Sequence, residues 1–541
     1  MLVAPCLYGA PMATASDLAA AVRRTVRHRA VLAVFALALS ARLWHLRRSG
    51  QVVGPNGYDQ SVYYAAADAL LHGRAPYSGD FVFLHPPVVM LVGLPFALLG
   101  RLTTAYTGFL AESALFALFG ALTAALVTAV ARRAGAPRWG AVAGGVLYAT
   151  WSVTVGAGSS VRLEPLGDLL LVTVVWLVGP GREPSRRQLV LAGVVFGVLV
   201  NVKLWWAVPL LLLFVLTAAR VRRRALVLVP AVAVATAALI DLPFLLASGG
   251  RMVTSVVTAQ LARTDVQGTP SGTFERLSTM LRLERLTGVE GAMSRLLGET
   301  PAALATSPAV RVVTLLVCAL VVAACLAALR TSLGRLAVLL LATQVLVLLT
   351  APIYFPYYGD FVGVSLSLAV AASARPIGRH LGAMPWPGLL PAAALVSLGL
   401  LLTAPRPSTV EHPWDREALT EATRGVPCIV ADTPKVLIDL DALDRSFAAG
   451  CPNWVDFQGV GHGGLAPDVF VQAGTASPAW RREMMRYFRS GDAVVISDPN
   501  VRVFLGPARV RALTRGPVVA ESQGLVVHRV VDRVVHRVGR R

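Results

Sequence analysis

The stretch HPPVVMLVGLPFALLG, residues 85–100, decides how this chain is threaded. It is apolar enough to be counted as a membrane crossing. Counted that way, it inverts every later loop and puts the arginine clusters of the chain on the outer side, against the bias of short cytoplasmic loops toward Lys and Arg. Left out, with the N-terminus inside, it returns all of those clusters to the cytoplasmic side. It is therefore read as a re-entrant or interfacial helix on the outer surface, opened by Pro86 and Pro87.

Composition makes a bilayer the premise of that argument. The 541 residues are 55% hydrophobic and 15% charged, with a mean hydropathy of +0.63, far above an ordinary soluble domain. A net charge of +20 suits nucleic acid in principle, but the arginines sit in short groups between apolar runs instead of forming a stripe, so a nucleic-acid partner is not expected. The five cysteines form no CxxC pair and no His/Cys cluster with metal-ligand spacing, which argues against zinc and iron–sulfur sites. The first apolar run follows Arg23, Arg24, Arg27 and Arg29 and lacks a small-residue cleavage site. It reads as a signal anchor, with Met1 or Met12 as the start.

A window of about 20 mostly apolar residues per spanning helix predicts an all-α polytopic module of about eleven spans. They fall at 30–47, 105–131, 139–158, 165–180, 188–202, 204–219, 225–247, 308–330, 335–352, 360–374 and 386–404. Alternate loops then carry Arg132, Arg133 and Arg138; Arg182, Arg186 and Arg187; Arg220 and Arg222 to Arg224; Arg330 and Arg335; and Arg375 and Arg379, all cytoplasmic. The predicted domains are a cytoplasmic segment 1–29, a membrane module 30–404 with outer loops 48–104 and 248–307, and an extracytoplasmic α/β domain 405–541. In the first loop DQSVYYAAADALLHG has apolar residues at helical spacing and predicts an amphipathic helix at the interface, begun by Asn56 and Gly57 and ended by Gly73. After the proline-rich APRPSTVEHPW, the tail segments PCIVAD, NWVDF and AVVIS predict short buried strands. Helices near 434–444 and 478–490 separate them, and VVAESQGLVVHRV predicts a closing hairpin. No GxGxxG or phosphate loop marks a nucleotide site.

Polar residues gather on the predicted outer face. Asp59, beside Tyr58, Tyr63 and Tyr64, either caps the interfacial helix or serves as a general base at the lip of an apolar cavity. Glu164, in RLEPLGD with Arg162, is either solvated at the headgroup level or paired with that arginine, or else the second carboxylate of one site, with Asp168 deeper in the same cluster. Lys203, in NVKLWW, either snorkels to the headgroups or holds a lipid phosphate. Gln260 and Arg263 share a helical face of the second outer loop, either solvated or facing substrate. Tyr357 and Tyr358, in PIYFPYYGDF, belong either to an aromatic belt or to the site, with Asp360 capping the next helix.

The order of these features resembles the GT-C superfamily of integral-membrane glycosyltransferases, which take a sugar from a polyprenyl-phosphate carrier. It is similar in particular to the protein O-mannosyltransferase and lipid A aminoarabinose transferase group, and to actinobacterial polyprenyl-phosphomannose-dependent mannosyltransferases. The matching residues are the loop acid Asp59, YYAAADALLHGRAPY, HPPVVMLVGLPFALLG, ARRAGAPRWG, RLEPLGD and FGVLVNVKLWWAVPLLL, over roughly residues 30–375. The resemblance implies that Asp59 is the catalytic base, that Glu164 lies near the acceptor or sugar, and that Lys203 lies near the carrier phosphate. His85 is a further candidate phosphate contact, with Tyr58, Arg162, Gln260, Arg263, Tyr357 and Tyr358 around the substrate.

Relatives often place two adjacent acids in the first loop. Here Gln60 follows Asp59, so a divalent metal stays open but is not indicated, and no other cofactor is implied. The tail is similar to outer domains in which PCIVAD and CPNWVDF recur together. Cys428 and Cys451, the one pair on the outer side, are a candidate disulfide, with free buried thiols as the alternative.

The expected activity is transfer of mannose or arabinofuranose from a polyprenyl-phosphate donor to a glycolipid, lipoglycan or secreted-protein acceptor, at the outer face of the plasma membrane. The rivals are a polytopic lipid or sugar transporter and a non-catalytic cell-wall-binding scaffold. A transporter needs polar groups through the bilayer midplane, and the apolar spans offer few.

Overall fold

The computed structural model describes residues 15–49, 57–78, 80–180, 183–219, 221, 224–261, 272–281, 308–381, 414–460 and 478–531. The predicted span 386–404, most of the proline-rich linker, much of the second outer loop and Arg263 lie outside them.

Helix α1 runs Ala15–Arg48, α2 Tyr58–Leu71, α3 Val88–Leu102, α4 Ala105–Arg133, α5 Arg138–Thr150, α6 Ser152–Ala157, α7 Leu163–Val178, α8 Arg186–Val200, α9 Ala207–Ala218 and α10 Arg224–Ser248. Further helices cover Thr273–Leu281, Pro308–Ala328, Ser332–Thr350 and Gly363–Leu381, the last entered through a 3₁₀ turn, Pro356–Val362. Among the described residues, five helical stretches are long and apolar enough to cross a membrane: 29–48, 105–133, 227–248, 332–350 and 356–377. Of the other expected spans, 308–330 is matched by a continuous 21-residue helix, Pro308–Ala328, and the rest within the described residues are shorter or interrupted. The run 139–158, for example, breaks at Trp151, whose extended backbone (φ −62°, ψ 127°) ends α5 and starts α6.

Helix α4 is the hub, packed against α1, α3, α5 and α7, while α8 packs on α10. Its start is fixed by Thr104, whose hydroxyl accepts the Thr107 N–H. Helix α3 has 15 residues, about 22 Å of helix at 1.5 Å per residue, short of the roughly 30 Å hydrocarbon core. It lies on α2 and α4, burying Val89, Met90, Gly93 and Ala97 while Leu98 and Leu102 stay exposed.

Helix α2 is not the one-sided amphipathic helix expected. Residues 60 to 69 are buried without a break, because α3 and α4 cover one side and tail helices Pro434–Asp439 and Leu443–Ala448 cover the other. Its ends are as the sequence suggests. Gly57 (φ 108°) and Gly73 (φ 72°) take the left-handed conformation that glycine enters without steric cost.

The tail carries a four-stranded sheet, β1 Ile429–Ala431, β2 Ala493–Val495, β3 Val518–Ser522 and β4 Leu525–Arg529, in the order β1-β2-β4-β3. Strands β1 and β2 run parallel and β3–β4 is an antiparallel hairpin. The hairpin turns on Gln523 (φ 45°) and Gly524 (φ 88°), the positive-φ pair that matches strand twist. NWVDF is not a strand. Asp456 accepts the Gly459 N–H and caps a short helix, Phe457–Gly459, and Trp454 stacks on Tyr487 and Trp480, so side-chain packing and not a ladder buries this segment.

The tail meets the bundle at one end. Asp441 Oδ1 accepts the Ala105 N–H at 2.8 Å, the first turn of α4, and Lys435 and Asp439 form a fully buried ion pair at 2.6 Å beside it. Arg132 and Arg133 lie at the opposite end of α4, so the tail, α2 and α3 share one end of the bundle and the basic loop occupies the other.

Candidate functional site

At the tail end of the bundle, residues from six segments surround a cleft that is partly open to solvent. Asp59 enters from the first turn of α2, Glu164 from the first turn of α7, Lys203 from the turn after α8, and Tyr357 and Tyr358 from the 3₁₀ turn. Asp59 is not a helix cap, since Gly57 holds that position and supplies no side chain. Its Oδ2 instead receives Arg162 Nη1 at 3.0 Å and the Tyr357 hydroxyl at 2.6 Å. Arg162 lies 3.6 Å over the Tyr357 ring, a cation–π contact that fixes the fork aimed at the carboxylate.

Arg162 was expected beside Glu164. The extended backbone at Arg162 (φ −136°, ψ 159°) precedes α7 and sends its guanidinium to Asp59, while Glu164, already helical, meets Lys203 Nζ at 2.8 Å. The Lys203 ammonium also sits 3.9 Å from the ring centroids of both Trp205 and Tyr358. This second pair is enclosed, its side chains 9% and 3% exposed, whereas the Asp59 side chain is 33% exposed. Of the two carboxylates, Asp59 is the one a solute reaches.

Around these pairs, His85 and Tyr63 line the cleft with rings edge to face at 5.4 Å. The Tyr63 phenol is pushed well above its usual range, by burial first and then by the Asp59 and Glu164 charges, with Arg162 opposing, so it stays a neutral donor. Tyr58 lines the cleft as well, but its hydroxyl is taken by the tail, donating to Asp456 Oδ1 at 2.9 Å and accepting the Gln458 N–H at 2.7 Å. Gln260 stands outside the cleft wall and donates to the Leu84 carbonyl at 2.8 Å.

Asp168 belongs elsewhere. One turn in from Glu164, it accepts the Tyr148 hydroxyl at 2.8 Å in the bundle interior, near Asp360, which caps nothing and is fully buried. Arg42 completes that interior group, its guanidinium directed at the carbonyls of Ala38, Tyr148, Ala149 and Thr154. Gly120 makes room for it, since a Cβ there would meet Arg42 Nε at 2.2 Å. The expectation of few polar groups within the bundle is therefore corrected. Arg42 and Glu112, charged residues inside apolar runs, were the signal. Asp456, which approaches the site from a distant segment, carries no comparable signal in its local pattern.

A further grouping, Asp68, His72 and Asp444, brings ligand-type atoms within 4.8 Å of one another. Arg101 Nε already contacts Asp68 at 3.0 Å and Asp444 at 3.2 Å, so a guanidinium supplies the cation there. In the tail, the sulfurs of Cys428 and Cys451 are joined, with Cα atoms 5.7 Å apart, a separation disulfides span.

No protein-family model matches the sequence, and no curated protein matches it. Among solved structures, ArnT from Cupriavidus metallidurans bound to undecaprenyl phosphate aligns with a TM-score of 0.55 at 15% identity, over 94% of this chain and 99% of that one. Its apo state gives 0.53 and 16%, over 93% and 98%. The archaeal oligosaccharyltransferase AglB from Archaeoglobus fulgidus, in complex with an inhibitory peptide and a dolichol-phosphate, reaches 0.48 and 13%, over 86% and 69%. ArnT and AglB are both of the GT-C superfamily. The chain shares the ArnT fold over 94% of its length.

Proposed function

We propose that this protein is a membrane glycosyltransferase that moves a sugar, mannose or arabinofuranose, from a polyprenyl-phosphate carrier to a glycolipid, lipoglycan or secreted-protein acceptor on the outer face of the membrane. The observation that carries the reading is the cleft, where a partly exposed carboxylate, Asp59, and an enclosed Glu164–Lys203 pair face one space. The ArnT likeness, with its bound undecaprenyl phosphate, supports a lipid-phosphate donor. The tail and α2 lying opposite Arg132 and Arg133 supports the outward side.

In this reading the carrier phosphate approaches Lys203, whose ammonium has three N–H donors and directs one at Glu164. The acceptor hydroxyl attacks the anomeric carbon through an oxocarbenium-like transition state. The bond from that carbon to the phosphate oxygen breaks, and its electron pair leaves with the polyprenyl phosphate monoester. Asp59 takes the hydroxyl proton. Attack opposite the leaving group inverts the anomeric centre. Arg162 and Tyr357 hold the carboxylate in place, and a positioned base of this kind is worth about 10²–10⁴ in rate.

The test is mass spectrometry of cell-envelope glycans from a deletion strain. A glycan lost on deletion, regained with the wild-type chain and not with Asp59→Asn supports the reading. Restoration by the Asn variant, or sugar movement in vesicles without a glycosidic bond, overturns it.

A further inference from the structure

We infer that Asp456, carried by the tail, is a positioning residue for the cleft: it grips the Tyr58 hydroxyl and thereby holds the first helical turn from which Asp59 projects. The inference rests on the transfer reading above for its consequence in turnover, although the contact itself does not.

Helix α2 begins with an unsolved problem of its own. The first N–H groups of any helix lack intrahelical partners, and Gly57 at the cap position offers no side chain to take one. The turn carrying Tyr58 and Asp59 is thus held from outside. Arg162 and Tyr357 grip it at Asp59, and the tail grips it at Tyr58. A phenol has one O–H to give and lone pairs to receive, and here both directions are used, toward Asp456 Oδ1 and from the Gln458 N–H. Burial pushes the Tyr58 phenol well above its usual range, with Asp456 adding to the effect, so the donor is always present.

The gripping loop is itself braced. Its start is tied to β1 through Cys451 and Cys428, and the Cys451 carbonyl accepts Arg74 Nη2 at 2.8 Å. Trp454 stacks on Tyr487 at 4.1 Å and on Trp480 at 5.5 Å, and Asp456 Oδ1 also accepts the Gly459 N–H at 2.8 Å. Asp456 and Gln458 line the same cleft as Asp59. The cleft is therefore completed by a segment some 400 residues further along the chain, and rigidity built into the tail is delivered to the turn bearing the proposed base.

The experiment uses the purified full-length chain in lipid nanodiscs and compares Tyr58→Phe, Asp456→Ala and Asp456→Asn. Asn keeps a carbonyl oxygen that accepts from both Tyr58 and Gly459, so it serves as the conservative rescue. Without any substrate, hydrogen exchange of the amides of residues 61–64 is expected to quicken about tenfold in Tyr58→Phe and Asp456→Ala, the loss of one hydrogen bond to a charged group. Asp456→Asn is expected to stay within about threefold of wild type, and the Phe/Ala double variant to be no faster than either single one.

In the transfer assay kcat is expected to fall in the same two variants with KM little changed, and to recover in Asp456→Asn. Unchanged exchange in both Tyr58→Phe and Asp456→Ala, or fully additive effects, overturns the inference. Loss of turnover in Asp456→Asn with normal exchange overturns it too, in favour of a charge contact with the acceptor. A wild-type chain without transfer activity defeats the transfer reading and leaves the exchange result to decide the contact.

Discussion

Tyr357 donates its hydroxyl to the same oxygen of Asp59 that Arg162 grips, at 2.6 and 3.0 Å. Two residues from separate segments thus converge on one atom of a carboxylate supplied by a third. A side chain used only to cap its own helix would not gather such partners. The arrangement fixes the carboxylate's orientation within reach of the cleft.

Replacing Asp59 by Asn keeps the shape and removes the charge. Transfer is expected to drop about 10²–10⁴-fold, with KM for the lipid donor near normal because Lys203 and His85 are untouched. Steady-state kinetics on protein that elutes as wild type checks this. A fall of less than about tenfold would assign the proton to another group.

The Glu164–Lys203 pair is expected to behave as a buried ion pair. Lys203→Ala alone strands the carboxylate and is expected to cost about 3–5 kcal/mol of stability, read as a lowered denaturation midpoint in detergent. The paired change Glu164→Leu with Lys203→Met removes both charges and is expected to recover most of that loss while transfer stays absent. If the double variant were no more stable than the single one, the pair would not be closed off from solvent as its geometry implies.

Cys428 and Cys451 are expected to be recovered as a linked peptide after digestion under non-reducing conditions. Cys451→Ala is expected to destabilise the tail by about 3 kcal/mol, the loop-closure contribution for a separation of this size, and to leave the helical bundle intact by circular dichroism. Recovery of both cysteines as alkylated free thiols would remove the brace.

How far these features were legible in the sequence follows from how local each is. The bounds of α2 were readable because Gly57 and Gly73 act on their own backbone, and the β3–β4 hairpin was readable from Gln523-Gly524 between apolar runs. Asp59, Glu164 and Lys203 stood out as polar residues beside apolar segments, and the fold gathers them in one cleft. Their pairing was not legible: Arg162 lies two positions from Glu164 yet turns to Asp59, a choice made by backbone conformation just before α7. The burial of α2 on every side was hidden because part of its cover comes from the tail, and NWVDF patterns like a strand because Phe457 is buried in an aromatic cluster with Trp454, Trp480 and Tyr487 and not in a ladder.

The tail also supplies a pH-dependent prediction. Asp432 is buried beyond β1, its carboxylate accepting the Ser497 hydroxyl at 2.9 Å and the Asp498 N–H at 2.7 Å. Burial raises its pKa from 3.8 to about 6, the hydrogen bonds from Asp498 and Ser497 opposing the shift. The folded pKa thus lies above the unfolded one, so the folded state binds more protons between those values and stability falls as pH rises through that interval. The contribution is fully present below pH 3.8, is lost as pH passes about 6, and amounts to roughly 3 kcal/mol at 1.36 kcal/mol per unit. Amide exchange at Ala493–Val495, followed from pH 4 to 7 after correction for intrinsic rates, is expected to report the loss in the full-length protein. Asp432→Asn, which cannot ionise, is expected to flatten that dependence, and a variant that kept the wild-type slope would trace it to a different group.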